Sequence, residues 1–195
     1  MERMRGRDRT IVLVEIALSI ALAVVLAMVR VWKMPQGGTV SLAMVPLFVL
    51  AFRRGPIVGV GAGALYGLTD FFVDPYPPVH WIQPLLDYPV AYAFCGTAGV
   101  FANGWGSLRR EGRLAQSVWR ALIPGVALGT LLRYGAHVVS GAVFFGEYAP
   151  AGQPVLAYSL VYNSFALVAG AVCAAAVVIV LPAVERVRPA AGGSL

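Results

Sequence analysis

The stretch that decides the fold lies near the start of the chain, at residues 11–31: IVLVEIALSIALAVVLAMVRV. Only Glu15, Ser19 and Arg30 interrupt its apolar side chains, and about 20 apolar residues are enough to cross the hydrocarbon core of a bilayer. The stretch therefore predicts a first transmembrane helix. A basic start followed by an apolar run also fits a secretory signal peptide. The apolar residues continue well past the supposed cleavage point, however, which favours the transmembrane helix.

The rest of the chain continues this apolar pattern. Hydrophobic residues make up 59% of the sequence and charged residues 12%, whereas soluble domains average roughly 45–50% and 25%. This composition excludes a large soluble domain. We predict an all-α protein, a single membrane domain over residues 1–195 that forms a bundle of six transmembrane helices. The spans are expected at about 11–31, 40–53, 56–73, 82–102, 118–145 and 155–181, with the polar stretch 103–117 as the only substantial internal loop.

The basic residues predict how the chain is oriented. The formal net charge is +6, and cytoplasmic loops of membrane proteins carry an excess of lysine and arginine. In the six-span topology twelve of the fifteen basic residues fall on one side: Arg3, Arg5, Arg7, Arg9, Arg53, Arg54, Arg109, Arg110, Arg113, Arg120, Arg186 and Arg188. This partition predicts cytoplasmic N and C termini and explains the positive charge without a nucleic acid partner.

The acidic residues follow a different pattern. Four of them lie at or near the predicted outer ends of the spans: Asp70, Asp74, Asp87 and Glu147. A locally acidic outer face favours the approach of a cationic solute.

Small residues recur at helical spacing in two of the predicted spans. Gly55, Gly59, Gly63 and Gly67 form one stripe, and the first span contains Ala17 with Ala21. Small residues four positions apart allow another helix to approach closely in lipid. Packing within this bundle and docking of another membrane subunit both remain open for each stripe.

Polar side chains inside the last three spans are the strongest functional signal. Ionisable groups at membrane depth are costly and usually face a cavity or a partner. They form three clusters: Gln83, Asp87 and Tyr88; Arg133, His137 and Ser140; Tyr158, Tyr162 and Asn163. Together with aromatic side chains they suit a small planar heteroaromatic ligand, ideally one that is positively charged.

Motifs of enzymes are missing from the sequence. It contains no HExxH, no GxSxG and no glycine-rich phosphate loop with its lysine, and Cys95 and Cys173 lie in separate spans without metal-ligand spacing. We therefore expect no enzymatic activity, no catalytic residue, no metal and no cofactor.

Four motifs carry a family resemblance. They are MPQGGTVS at 34–41, QPLLDY at 83–88, LRYGAHVVSGAVFFG at 132–146 and YSLVYN at 158–163. They resemble the thiamine-specific substrate-binding (S) components of energy-coupling factor (ECF) transporters. The similarity runs from about residue 13 to residue 181.

The resemblance implies a multi-pass protein of a prokaryotic plasma membrane that binds thiamine from outside with high affinity. Such S components deliver thiamine inward with a transmembrane coupling subunit, the T component, and two cytoplasmic ATPases. Matching the motifs implies a thiamine-binding role for Asp87, Tyr88, His137, Gly141, Phe145, Tyr158 and Asn163. It also implies a possible lid from the first outer loop, with Trp32 and Gln36, and subunit docking at Ala17 and Ala21.

Two positions differ from the family pattern. Asp87 stands where some members have glutamate, and Phe145 where others have tryptophan; both changes keep the type of interaction. An alternative function is an autonomous secondary transporter of a small cationic heteroaromatic solute, coupled to protons through Asp87 or His137. A purely structural scaffold would leave the polar clusters unexplained.

Overall fold

The computed structural model describes residues 6–35 and 38–187. Most of this part of the chain is helical. The helices are α1 (Gly6–Met28), α2 (Met44–Val73), α3 (Ile82–Arg110), α4 (Leu114–Phe144), α5 (Val155–Tyr162) and α6 (Phe165–Val187). A short antiparallel hairpin between α1 and α2 consists of β1 (Arg30–Lys33) and β2 (Thr39–Ser41). The helical bundle is confirmed, and the hairpin is an addition to the predicted all-α fold.

Five helical stretches of the described chain are long and apolar enough to cross a membrane. They are Asp8–Met28, Met44–Val73, Ile82–Arg110, Leu114–Phe144 and Val155–Arg186, where the last combines α5 and α6. Most of the predicted span 40–53 and the whole span 56–73 lie together in α2, whereas residues 40 and 41 lie in β2. The count of six crossings and the cytoplasmic termini therefore stay predictions, and three of the arginines used for the topology, Arg3, Arg5 and Arg188, lie outside the described residues.

Helix α2 reverses direction at Gly55. This glycine has φ 81° and ψ 177°, and Pro56, which follows it, has no N–H to continue a helix. A Cβ atom built at Gly59 would lie 2.8 Å from the Cβ atom of Ala51, although residues eight apart in a straight helix are separated by about 12 Å. The helix therefore consists of a first limb, residues 44–54, and a second limb, residues 56–73.

The glycine stripe of the second limb packs inside the bundle. A Cβ atom at Gly63 would collide with the carbonyl oxygen of Tyr92, and one at Gly67 with the carbonyl oxygen of Tyr88. A Cβ atom at Gly59 would lie 2.9 Å from the carbonyl oxygen of Gly96. Helix α3 thus packs with its backbone directly against the backbone of the second limb. The glycine stripe therefore serves packing within the bundle and not docking of another subunit.

Helices α3 and α4 each contain a π-turn, Leu86–Val90 in α3 and Val118–Leu122 in α4. A proline lies within or just beyond each turn, at Pro89 and Pro124. Because proline has no N–H to donate to the carbonyl four residues earlier, the regular α-helical hydrogen-bond ladder is interrupted there.

The prediction that residues 103–117 form a loop is wrong. Helix α3 continues to Arg110 and α4 begins at Leu114, so only residues 111–113 connect them. Trp105 is buried, and its indole N–H donates to Glu185 Oε1 at 2.8 Å. Arg109 lies 3.7 Å from the same carboxylate. These contacts with α6 stabilise a helical continuation that is too polar to be recognised from hydropathy.

The ends of two predicted spans also differ from the structure. The span 11–31 ends as a helix at Met28, because the residues from Arg30 onward pair with β2. The span 155–181 is interrupted between α5 and α6 at Asn163 and Ser164. The amide group of Asn163 donates to the Ser159 carbonyl oxygen at 2.9 Å, a local side-chain bond of the kind that competes with regular helix.

Candidate ligand-binding site

One cavity brings together all seven residues predicted to bind the ligand. It contains about 840 Å³ of unfilled space, counting the part that opens to solvent. The predicted residues that line it are Asp87, Tyr88, His137, Gly141, Phe145, Tyr158 and Asn163. They come from α3, from α4 and the residue after its end, and from α5 and the residue that follows it. Their convergence is observed, whereas their role in binding stays a prediction.

Asp87 is the centre of a hydrogen-bond network between α3 and α4. Its Oδ1 atom lies 3.1 Å from His137 Nδ1, and Ser140 Oγ donates to Oδ2 at 2.8 Å. Gln83 Nε2 is 3.5 Å from Oδ2. In the described part of the chain no lysine or arginine lies within 4.0 Å of this carboxylate. The network orients the carboxylate without an ion pair to a lysine or arginine.

Tyr88 connects the segment between α2 and α3 to the cavity wall through hydrogen bonds. Its hydroxyl donates to the Asp74 carbonyl oxygen at 3.2 Å and accepts from the Tyr76 backbone N–H at 3.1 Å. The Asp74 carboxylate lies 2.7 Å from Arg30 of β1. Burial raises the pKa of Tyr76, and the neighbouring Tyr148 adds to the shift. This side of the cavity is therefore connected to the β hairpin.

A buried guanidinium forms another part of the lining. Arg133 is only 4% exposed, and its Cζ atom lies 4.7 Å from the centre of the Tyr92 ring. Its Nη1 atom contacts Met44 Sδ at 3.6 Å, and its Nε atom has no hydrogen-bond partner among the described residues. Asp70, which also lines the cavity, accepts from the Tyr66 hydroxyl at 3.3 Å. Three carboxylates, those of Asp70, Asp74 and Asp87, thus line the cavity with one guanidinium.

Gly141 allows α5 to approach α4. A Cβ atom at this position would collide with Ser159 Oγ and would lie 2.8 Å from Asn163 Nδ2. Ser159 Oγ donates to the Val138 carbonyl oxygen at 2.8 Å. Asn163 donates to Ser159, as described for the break between α5 and α6. Because Gly141 has no side chain, the Ser159–Asn163 pair fits against α4, and Asn163 lines the cavity.

Aromatic rings form much of the remaining wall. Phe145 lies 6.0 Å from Tyr76 between ring centres, and Tyr158 lies 5.7 Å from Tyr162. The imidazole of His137 is 5.8 Å from the Phe165 ring. Ring faces attract cations through their quadrupole, so this wall complements the carboxylates on the other sides.

The predicted lid residue Trp32 does not line the cavity in the described part of the chain. The Trp32 side chain lies on β1, is 64% exposed, and its indole N–H contacts Met34 Sδ at 3.2 Å. Gln36 lies outside the described residues. Gly38 and Thr39, at the other arm of the hairpin, do line the cavity. Gly38 has φ +94°, and a Cβ atom there would collide with the Phe165 ring.

The predicted docking residues lie away from the cavity. Ala17 and Ala21 are exposed on α1, and only 6% of the most apolar window of that helix is buried. The surface around them includes the exposed side chains of Leu13, Val14, Leu18 and Leu22.

Several lining residues were not predicted as site residues, although spacing offered a signal for some of them. Tyr92 lies four residues after Tyr88, and Asp70 four residues before Asp74, the spacing of neighbours along one face of a regular helix. Extending each predicted polar residue by one helical turn would have found Tyr92. Phe165 and Thr39 carry no comparable signal, because the hairpin and the helix break bring them to the site.

Comparison with known proteins identifies the family. The model of the family described as "Thiamine transporter protein (Thia_YuaJ)" matches residues 13–188. The chain belongs to this thiamine transporter family. The resemblance drawn from the four motifs is therefore confirmed.

Relatives and a solved structure of this family cover most of the chain. Thiamine transporter ThiT of Bacillus subtilis (strain 168) is 43% identical over 177 residues, which are 87% of this chain and 88% of the relative. Thiamine transporter ThiT of Lacticaseibacillus paracasei is 29% identical over 164 residues, 82% and 81% of the two chains. The structure of ThiT from Listeria monocytogenes matches with a TM-score of 0.83 and 29% identity, covering 92% of this chain and 97% of that one.

Membership in the family supports the membrane assignment and agrees with the expectation that the chain is not an enzyme. Thiamine is the transported substrate of the family.

Proposed function

We propose that this chain is the high-affinity thiamine-binding S component of an ECF-type importer in the plasma membrane. It captures thiamine at the outer face and delivers it inward together with a T component and two cytoplasmic ATPases. The observation that carries the proposal is the convergence of seven motif residues, distant in sequence, on one cavity. Thiamine is the cargo in this proposal, and no cofactor is required.

The chemistry of the cavity complements that of thiamine, which has a cationic thiazolium ring, an aminopyrimidine and a hydroxyethyl tail. We assign Asp87 as the counter-ion of the thiazolium, since no lysine or arginine of the described chain pairs with it. Phe145 and the nearby tyrosines would stack on a ring. His137, Tyr158 and Asn163 would form hydrogen bonds with ring nitrogens or the hydroxyl, while Tyr88 and Gly141 shape the wall.

The reversal in α2 supports six membrane crossings. The first limb has eleven residues and is therefore about 16 Å long, roughly half of a hydrocarbon core. In this proposal the first limb and the strand before it make the second crossing, and the second limb makes the third. An even number of crossings places both termini on the same side, and the arginine distribution makes that side cytoplasmic.

The exposed face of α1 is the proposed docking surface for the T component. Ala17 and Ala21 are four residues apart on this face, a spacing that allows close helix contact in lipid. Since most of α1 is not covered by the bundle, another membrane subunit can reach it without rearrangement.

A calorimetric titration of the purified chain with thiamine tests the proposed ligand. We expect saturable binding of one thiamine per chain. A lack of binding would overturn the proposal, and a parallel titration with thiamine monophosphate would show whether the cavity accepts a phosphate.

Liposome reconstitution tests the proposed partners. The chain alone should bind thiamine without sustained uptake, and uptake should begin when the T component, the ATPases and ATP are added. Uptake by the chain alone that a protonophore abolishes would instead support the autonomous proton-coupled transporter. The contact between Asp87 and His137 is the feature that favours this second candidate.

A further inference from the structure

Ser140 makes an unusual hydrogen bond for a serine inside a helix. Its side chain is fully buried in α4, where a serine commonly bonds to the carbonyl oxygen four residues earlier in its own helix. Ser140 Oγ instead donates to Asp87 Oδ2 of α3 at 2.8 Å. This contact links the two helices at the wall of the cavity.

The bond from Ser140 is the shortest of the three that hold Asp87. His137 contacts the other carboxylate oxygen at 3.1 Å, and Gln83 reaches Oδ2 only at 3.5 Å. Hydrogen bonds to a carboxylate are roughly twice as strong as those between neutral groups. With one contact from α4 on each oxygen, Ser140 and His137 together orient the plane of the carboxylate.

Ser140 itself does not line the cavity, whereas Asp87 and His137 do. A contribution of Ser140 to ligand binding must therefore pass through Asp87. Because a hydroxyl carries no charge, it can orient the carboxylate and leave its negative charge available to a ligand. An arginine in the same place would neutralise that charge.

We propose that Ser140 is a positioning residue that fixes the direction in which Asp87 presents its charge to the thiazolium ring. The proposal rests on the proposed thiamine-binding function. It assigns to Ser140 an effect on affinity that exists only while residue 87 is a carboxylate.

A double-mutant cycle tests this role. Thiamine affinity is measured by calorimetry for the unaltered chain, Ser140→Ala, Asp87→Asn and the double variant. Ser140→Ala should weaken binding about tenfold, in the range expected when a hydrogen bond to a charged group is lost. In the Asp87→Asn background the same change should alter affinity by less than about twofold, because residues that act through one another are not additive.

Two further variants separate positioning from packing. Ser140→Cys fills nearly the same volume as serine, but its thiol is only a weak donor. Its thiamine affinity should therefore stay close to that of Ser140→Ala. If Ser140→Ala does not fold, Ser140→Cys takes its place in the cycle. Ser117→Ala is the matched control, because Ser117 is equally buried and donates to the Leu114 carbonyl oxygen at 2.7 Å near the start of α4. It should bind thiamine like the unaltered chain.

Three results would overturn the positioning role. They are an affinity of Ser140→Ala within about twofold of the unaltered chain, full recovery in Ser140→Cys, or an equally large loss in the Asp87→Asn background. In each case the unaltered chain still binds thiamine, so the proposed function stands. If the unaltered chain does not bind thiamine, the proposed function fails first and the positioning role fails with it.

Discussion

Two partly buried carboxylates in this molecule have opposite surroundings. Glu15 of α1 lies between two guanidinium groups, 3.2 Å from Arg53 and 2.6 Å from Arg54. Asp87 accepts from a hydroxyl and an amide and contacts an imidazole. The charge of Glu15 is thus matched within the chain, whereas that of Asp87 has no arginine or lysine partner among the described residues. The first arrangement holds helices together, and the second is suited to a cation that comes from outside.

Removing the matched carboxylate should have the largest effect on stability. Glu15→Ala leaves Arg53 and Arg54 without this partner. Loss of one member of a fully buried ion pair costs about 3–5 kcal/mol, and because Glu15 is only partly buried we expect a smaller loss than that. We expect a clearly lower melting temperature of the detergent-solubilised protein. The fraction that remains folded should bind thiamine with unchanged affinity, since Glu15 does not line the cavity. A large loss of affinity without loss of stability would contradict the distinction between the two carboxylates.

Neutralising Asp87, the unmatched carboxylate, should lower thiamine affinity and leave stability nearly unchanged. Asp87→Asn keeps the size of the side chain and removes the charge that we assign to the thiazolium. Thiamine binding should weaken at least tenfold, about 1.4 kcal/mol, while the melting temperature without thiamine stays near that of the unaltered chain. Calorimetry and thermal unfolding measure the two quantities. Unchanged affinity would reject the counter-ion role.

Removing an exposed ion pair should have the smallest effect on stability and on thiamine affinity. It serves as the control for the Glu15 and Asp87 variants. Glu111 lies 3.0 Å from Arg113, and about half of each side chain is exposed. The hydrogen bond from Arg113 lowers the pKa of Glu111, so the pair stabilises the fold at neutral pH and loses this contribution as pH falls through that lowered pKa. Because exposed pairs contribute little, Glu111→Gln should change neither melting temperature nor thiamine affinity measurably. A melting-temperature change as large as that of Glu15→Ala would show that burial does not control these contributions.

The sequence allowed the lining residues to be predicted because polar groups in apolar helices are costly. Asp87, His137 and Asn163 stand out from their apolar neighbours. Asp87 and His137 contact each other, whereas Asn163 bonds to Ser159 in its own segment. Trp105 shows the limit of this approach. It stabilises a polar part of α3 through contact with Glu185, eighty positions later in the chain, and hydropathy contains no information about such a contact.

Small-residue spacing predicted close packing but not the packing partner. Gly63 and Ala21 both belong to stripes with four-residue spacing, yet Gly63 is buried against α3 and Ala21 is exposed on α1. The reversal at Gly55 explains why Gly63 is buried, because it turns the second limb toward the backbone of α3. The spacing itself is the same whether or not the chain reverses.

The π-turn at Leu86–Val90 has a consequence for comparing this protein with its relatives. Each residue of an α-helix advances about 100° around the axis, so one residue inserted or deleted within the turn rotates every later side chain by that amount. A single ideal helical wheel drawn through the whole of α3 therefore assigns the residues after the turn to the wrong faces relative to the residues before it. Comparisons of lipid-facing and ligand-facing positions should treat the segments before and after this turn as two separately phased helices.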